Sequence, residues 1–538
     1  MVAVQKDTGA APPLCPSERP YVAPSKDLSF YIVLLVAIIP LWSIPPLSWG
    51  FVIYSLRTGS IWTFTWPGKL VFTLALAEVF FSVYHFNLAS YVAGPCRVGA
   101  GNLGELQTAF KRVLQAGLAS LPEEGYDEET LEDERPGSPG EEIELLESTD
   151  PRAIDFRTVL RTWFGRVPFS QIRRQEMFEW FYWAIFNAKL PALDTLPASH
   201  RTVLEDTLKM VEMRTGVQIP EGSNPAARPL RLTLDPVAIA WRPFSFYVFV
   251  AAANFFARRR LRHKWQVKHH SKHGLDYLLR IPEGYDIKTG PQPIVFMHGL
   301  GLGLLQYMPI ISYLMRVLPD TPFLIPLQPH ISQQIFHPHF LRPKGRKETA
   351  EAVRTILEEL GWAEAGESDD VPIQARAKGV TMISHSNGSY SHAWVLKAYP
   401  QLIKRSCFVD PVTFCSWEGD VCYNFIYRRC HNGLQLVMRY FVGMELGVAN
   451  LLQRHFDWSS NSLWYEEIPN ARDPTRTKFF LGGSDAILHA DRVKRYLTSH
   501  GVRSGLWFDP NGQHGQALRG EGVKELVRWI QEGSTGKP

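Results

Sequence analysis

Residues 380–399 read VTMISHSNGSYSHAWVLKAY. An apolar run with the texture of a strand ends at Ser384, and a helical pattern starts just past Ser386. So tight a turn between strand and helix needs small side chains two places before and two places after its apex. Ser384 and Gly388 fill those places, and Ser386 stands at the apex. The amides that open the following helix favour negative charge developing beside Ser386. Serine and glycine share many turns, so the surrounding sequence decides what this one does.

The arrangement resembles the nucleophile elbow of the α/β-hydrolase family, whose motif is G-x-S-x-G, here with Ser384 in place of the first glycine. The resemblance implies that Ser386 is a nucleophile. Upstream, PIVFMHGLGLG (293–303) ends a strand at His298 and Gly299, the position of the family's oxyanion loop. By the same resemblance the main-chain amides of Leu300 and Asn387 are the oxyanion donors, and Gly299, Gly301 and Gly303 let backbone approach a substrate closely. A glycine-rich turn with no ligand has the same composition. The elbow downstream favours the oxyanion reading.

The family order of nucleophile, acid and base continues along the chain. KFFLGGSDAILHADRVKRYL (478–497) puts Asp485 after an apolar strand and a Gly-Gly turn, and WFDPNGQHGQAL (507–518) puts His514 in a glycine-bearing loop after the last strand. The resemblance implies Asp485 as the acid that orients the imidazole and His514 as the general base. An N-cap aspartate and an exposed loop histidine are the plain alternatives. Asp410, in SCFVDPV (406–412), is the rival acid, because some members of the family take the acid from that strand. His330, His337, His339 and His385 are weaker candidates; the cluster HPHF has no metal-ligand spacing on one helix face and no acidic partner nearby in the sequence, so surface or pocket-lining histidines are expected there.

Working outward, YLLRIP, PIVFMHG, PFLIPLQ, VTMISHS, SCFVDPV, KFFLGGSD and GLWFDP read as strands. Helical patterns lie between them near 307–318, 347–360, 390–398, 490–498 and 523–531. This alternation predicts an α/β fold, the α/β-hydrolase fold with a mostly parallel central sheet, over 271–538. The aromatic, amphipathic insertion at about 411–476 is expected to form a helical cap suited to an acyl chain, although a cap packing on its own core has the same composition.

The N-terminal half departs from that texture. After a polar lead, 1–27, the run from Leu28 to Leu56 carries no charged residue and is long enough to cross a bilayer even with Pro45 and Pro46 inside it. It begins too late for a cleaved signal peptide. A second run, Leu70 to Val92, carries Glu78 and His85, which count against insertion; a second span or a surface helix both fit. A membrane-anchoring region of one or two transmembrane helices is therefore expected over 28–95. Residues 122–152 are acidic and poor in core formers, which reads as a disordered linker. Residues 153–270 read as a helical region. Within it, 243–257 is either an interfacial helix, its cations Arg258, Arg259, Arg260, Arg262 and Lys264 meeting anionic lipid, or a core helix with a basic exit.

A chain of 538 residues with 57 basic and 53 acidic side chains is too nearly balanced to suggest nucleic-acid binding. The six cysteines show no zinc spacing, and a reducing compartment is expected. The expected chemistry is attack by Ser386 on an ester carbonyl and water resolving the acyl-enzyme, with no metal or dissociable cofactor. The expected substrate is an apolar ester or a lipid. Acyl transfer to an alcohol at the same site, or a catalytically silent membrane-tethered interaction module, are the alternatives. The single N-x-S/T sequon, Asn387-Gly388-Ser389, lies inside the elbow, where a glycan would block the site. With the basic cluster, this places the catalytic region on the cytosolic face, with endoplasmic reticulum or lipid-droplet membrane the first candidates.

Overall fold

The computed structural model describes residues 15–534 except 97, 100, 117–142 and 364–378. An eight-stranded sheet is formed by β1 (Lys268–Lys272), β2 (Leu275–Arg280), β3 (Ile294–Met297), β4 (Phe323–Leu327), β5 (Val380–His385), β6 (Ile403–Val409), β7 (Thr477–Gly482) and β8 (Leu506–Asp509). Their order is β1-β2-β4-β3-β5-β6-β7-β8, with β2 antiparallel to both β1 and β4 and the rest parallel. Seven of these strands match the apolar runs read from the sequence. The eighth, β1, is KHHSK at an open edge, with little apolar alternation to betray it; His270 stacks on Tyr277 at 5.3 Å between ring centroids.

Successive strand residues point to opposite faces, and each face is covered. Val295, Met382, Phe408 and Phe479 pack against α9 (Arg346–Glu359), α10 (Gly388–Ala398) and α13 (Ala490–Ser499). Ile294, Phe296, Ile383 and Phe480 pack against α7 (Phe244–Trp265), α8 (Leu304–Val317) and α14 (Gly520–Ser534). Register aligns the carboxyl ends of the central strands: Met297 is opposite Ser384, and Val409 is opposite both His385 and Phe480. His298, Ser386, Asp410 and Asp485 all leave the sheet along this one edge.

The insertion between β6 and β7 is helical and includes α11 (Gly433–Met438) and α12 (Leu446–Arg454). It shares one core with α3 (Leu103–Gln115), α4 (Pro151–Leu160), α5 (Arg174–Phe186) and α6 (Ala198–Thr215). The aromatic stripe of the middle region supplies that core, and its indoles bond across the junction: Trp163 Nε1 donates to the Trp417 carbonyl at 2.8 Å, and Trp458 Nε1 to that of Ala184 at 2.9 Å. Most of the acidic segment lies outside the described residues. Its last residues depart from the spacer expected there, because Ile143 and Leu146 are apolar enough to be buried and the Leu146 amide bonds the Met213 carbonyl.

At the N-terminus, α1 (Leu28–Thr58) and α2 (Trp66–Ala93) are two helices long and apolar enough to cross a membrane. Asp27 caps α1 by accepting the Phe30 amide, and the helix runs on through Pro45 and Pro46. In α2, Glu78 and His85 face the protein: Glu78 Oε2 accepts the Phe244 amide at the start of α7 at 2.7 Å, and the His85 ring lies 4.5 Å from that of Trp241. Polar groups that weigh against insertion in the sequence thus leave the outer face of α2, with Leu70, Leu74, Phe80 and Phe86, apolar and exposed. On α7, Tyr247, Val250, Asn254, Ala257 and Leu261 are buried while Phe249 and Phe256 are each 64% exposed. The helix therefore has a core face and an apolar exposed face.

Candidate active site

The elbow forms as the small residues require. Ser386 has φ +53, a left-handed backbone that a serine adopts only where the turn imposes it. Its amide still bonds the Val409 carbonyl at 3.0 Å, so the turn is anchored to the sheet. A Cβ at Gly388 would lie 2.2 Å from the Met297 carbonyl oxygen, and one at Gly299 would lie 2.9 Å from the Ser386 Cβ. Only glycine lets β3, its following loop and the elbow approach this closely.

Ser384, the departure from the family motif, is fully buried, and its hydroxyl meets His392 Nδ1 at 2.9 Å. His392 Nε2 in turn meets the Ser406 hydroxyl at 3.2 Å, and the ring stacks on Phe408 at 4.3 Å. Burial pushes this imidazole down to about 3, so it is neutral and takes one bond at each nitrogen. The extra hydroxyl at position 384 is therefore accommodated by a partner eight residues along the chain.

The loop after β3 is held by side chains and by neighbouring backbone. The Gly299 amide donates to the Tyr307 hydroxyl at 2.8 Å, and that hydroxyl meets His385 Nδ1 at 2.7 Å. Gln306 grips the next turn, its Nε2 donating to the Leu300 carbonyl and its Oε1 accepting the Leu302 amide, both at 2.9 Å. The Gly301 amide bonds the Ile331 carbonyl at 3.0 Å. Asn254, buried on α7, donates to the Leu302 carbonyl at 2.9 Å and accepts the Leu305 amide at 3.2 Å. Among the described residues the Leu300 amide has no such acceptor. His298 is turned inward, its Nδ1 at 3.0 Å from the Gly299 carbonyl and its Nε2 accepting the Gln328 amide at 3.3 Å.

Asp485 and His514, 29 residues apart, meet at 2.5 Å between Oδ2 and Nδ1. The other Asp485 oxygen accepts the amides of Ile487 and Leu488, so the carboxylate caps the turn that follows it and holds the imidazole as well. Burial alone would lower the His514 pKa; the bonded Asp485 carboxylate, helped by Asp410, overrides it and raises it to about 9. His514 Nε2 is buried with no hydrogen-bond partner, and no hydrogen bond joins it to Ser386 among the described residues. His385 lies beside it, its ring centroid 5.1 Å from that of His514, and burial, with the nearby His514 and His298, holds it well below the ordinary histidine range.

Asp410 is brought to the same place without contacting the imidazole directly. Its two oxygens accept the Gly482 amide at 2.9 Å and the Gly515 amide at 2.6 Å, tying the end of β7 to the His514 loop. Polar atoms of Asp410, Asp485 and His514 lie within 4.8 Å of one another. Burial, reinforced by the Asp485 charge and opposed by His514, raises the Asp410 carboxyl to about 6. Both acids named from the sequence are thus at the site, one bonded to the imidazole and one to the backbone around it.

Asn254, Gln306 and Tyr307 are the site residues that sequence reading misses. Asn254 carries the one visible signal, a lone amide inside the apolar run FVAAANFF. Tyr307 and Gln306 occupy ordinary positions of an amphipathic helix and show no signal at all.

No protein-family model matches the sequence, and no curated protein matches it. Among solved structures, a membrane phospholipase A described as a bacterial virulence factor is similar at 13% identity over 54% of this chain and 94% of its own, with a TM-score of 0.36. Naproxen esterase (carboxylesterase NP) from Bacillus subtilis is 13% identical over 52% of this chain and 98% of its own, with a TM-score of 0.32. Carboxylesterase CesB from the same organism is 11% identical over 53% and 98%, with a TM-score of 0.33. The fold is read from this chain's own strands and turns. A sheet ordered β1-β2-β4-β3-β5-β6-β7-β8, a left-handed elbow after β5 and an aspartate–histidine pair from the turns after β7 and β8 give the chain the α/β-hydrolase fold.

Proposed function

We propose that the protein is a membrane-anchored serine hydrolase acting on an ester of an apolar acyl chain. The observation that carries the reading is the Asp485–His514 bond of 2.5 Å at the strand edge from which Ser386 projects in its left-handed elbow. In this reading His514, once it has lost its proton, takes that of Ser386 through Nε2, and Asp485 fixes its tautomer from the other side. Ser386 attacks the carbonyl, and the amides of Leu300 and Asn387 receive the oxyanion. Water then resolves the acyl-enzyme. Asp410 is a positioning residue that keeps the His514 loop against β7.

The apolar helices α1 and α2 support the anchor, and the exposed phenylalanines of α7 support a lipid-facing surface beside it. The buried sequon in the elbow and the arginines that end α7 favour the cytosolic face of an endoplasmic reticulum or lipid-droplet membrane. Labelling of the detergent-extracted protein by a fluorophosphonate probe tests the chemistry. Native protein is expected to label, and Ser386→Ala and His514→Ala to lose labelling; absence of labelling in folded native protein would leave the silent interaction module as the better reading.

A further inference from the structure

Tyr307 and His385 are buried polar side chains beside the nucleophile that the proposed reaction does not use. His385 ends β5 and immediately precedes Ser386, Tyr307 lies near the start of α8, and Gly299 lies in the loop after β3. The three meet at one oxygen: the Tyr307 hydroxyl accepts the Gly299 amide at 2.8 Å and lies 2.7 Å from His385 Nδ1. Packing there is tight. A Cβ at Gly299 would stand 2.9 Å from the Ser386 Cβ, 3.0 Å from the His385 carbonyl oxygen and 3.0 Å from the Tyr307 hydroxyl oxygen.

The direction of each bond follows from the donors present. A backbone amide only donates, so the phenol oxygen accepts from Gly299 and has its own proton left to give. Among the described residues His385 Nδ1 is the acceptor it meets. Burial, with the nearby His514 and His298, holds the His385 imidazole well below the ordinary histidine range, so the ring is neutral and Nδ1 is free to accept. Burial likewise raises Tyr307 to about 12, so the phenol keeps its proton. The bonds therefore run one way, from the Gly299 amide through the phenol to the imidazole, and each polarises the next. A protonated Nδ1 would set two donors against the phenol oxygen and leave the phenol proton without this acceptor.

We infer that His385 is a positioning residue for the attack by Ser386: through Tyr307 it fixes Gly299, and so the Leu300 amide that follows, at a set place relative to the nucleophile. The inference rests on the serine-hydrolase reading above. Ser386 and His385 are consecutive, so a bond made by His385 is tied to the elbow itself. Gln306 and Asn254 grip Leu300, Leu302 and Leu305 further along the loop. The Tyr307–His385 bond is a side-chain link from that loop to the elbow. Asparagine at 385 can place an amide oxygen about where Nδ1 stands, whereas phenylalanine fills the space of the ring and accepts nothing.

The test uses full-length, detergent-extracted protein and reads both the rate of fluorophosphonate labelling and the turnover of p-nitrophenyl octanoate. Tyr307→Phe and His385→Phe are each expected to lower labelling and kcat by on the order of 10- to 100-fold with KM within about twofold, because a displaced donor is missed by the developing oxyanion more than by bound substrate. The double variant should be slower than the worse single variant by no more than about threefold, since the two side chains act as one unit. His385→Asn is expected to recover most of the lost rate. Single effects that multiply in the double variant, or an asparagine variant as slow as the phenylalanine one, would overturn the positioning role, as would native rates in folded His385→Phe. Loss of labelling and kcat in proportion to a lowered Tm across the variants would make the pair structural support and overturn it as well. Each of these outcomes, in native protein that labels, removes His385 and leaves the hydrolase reading standing. Native protein that neither labels nor turns over the ester would overturn the hydrolase reading and the positioning role with it.

Discussion

His514 illustrates how one residue takes its chemistry from its neighbours. A buried imidazole by itself titrates low, yet the Asp485 carboxylate at 2.5 Å and the nearby Asp410 raise it to about 9. Its raised folded-state value contributes stability that is fully present below 6.5 and is lost as pH rises through about 9. Activity should run the other way, because only the deprotonated ring can accept the Ser386 proton. The fluorophosphonate labelling rate is therefore expected to climb with pH to a midpoint near 9. Asp410 is ionised above about 6, so in the window between it supports the imidazolium. Asp410→Asn removes that charge and should move the midpoint to lower pH. A midpoint that stays in place in the variant would show that Asp410 acts only through the Gly482 and Gly515 amides.

At the scale of elements, the loop after β3 is held from three helical positions. Tyr307 and Gln306 lie on α8, which follows the loop directly, whereas Asn254 reaches it from α7, about fifty residues earlier in the chain. Asn254→Ala leaves the Leu302 carbonyl and the Leu305 amide without these partners. The variant is expected to label more slowly by on the order of 10- to 100-fold, since a displaced oxyanion donor loses much of its effect. The loss should fall on kcat with KM little changed, because the loop meets developing charge more than bound substrate. Loss of both in proportion to a lowered Tm would identify Asn254 as structural support for α7 only. The same helix offers Phe249 and Phe256 on its outer face, so one element joins the apolar surface to the site.

For the whole molecule, the apolar N-terminal helices are built into the body as well as exposed. Glu78 caps α7, Tyr84 bonds the Ile335 carbonyl at 3.4 Å, and the Gly433 amide of α11 donates to the Ser29 hydroxyl at 2.7 Å. Alkaline carbonate extraction of membranes carrying the full chain should leave the protein in the pellet. Its release would make α1 and α2 surface helices. The catalytic unit, the middle helices and the cap share a single core, whereas the sequence reads as a string of separate regions. Composition changes sharply at each boundary, but a packed interface between aromatic helices and a cap leaves no periodicity that names its partner.

What the sequence determined by itself is local. Alternating apolar runs and helical periods disclose seven strands and the helices between them, and the small residues around Ser386 disclose the elbow, because each pattern is set by neighbours within a few residues. The edge strand KHHSK escapes, since its bonds go to β2 and its side chains go to water. Ser384 is a mismatch in the motif until His392 and Ser406 are brought to it, and Glu78 and His85 argue against insertion until Phe244 and Trp241 cover them. Which acid meets His514 and which side chains hold the loop after β3 were decided only by the tertiary structure. Those are relations between residues distant along the chain, and distance in space is fixed by packing of the sheet and its helices rather than by any pattern along one segment.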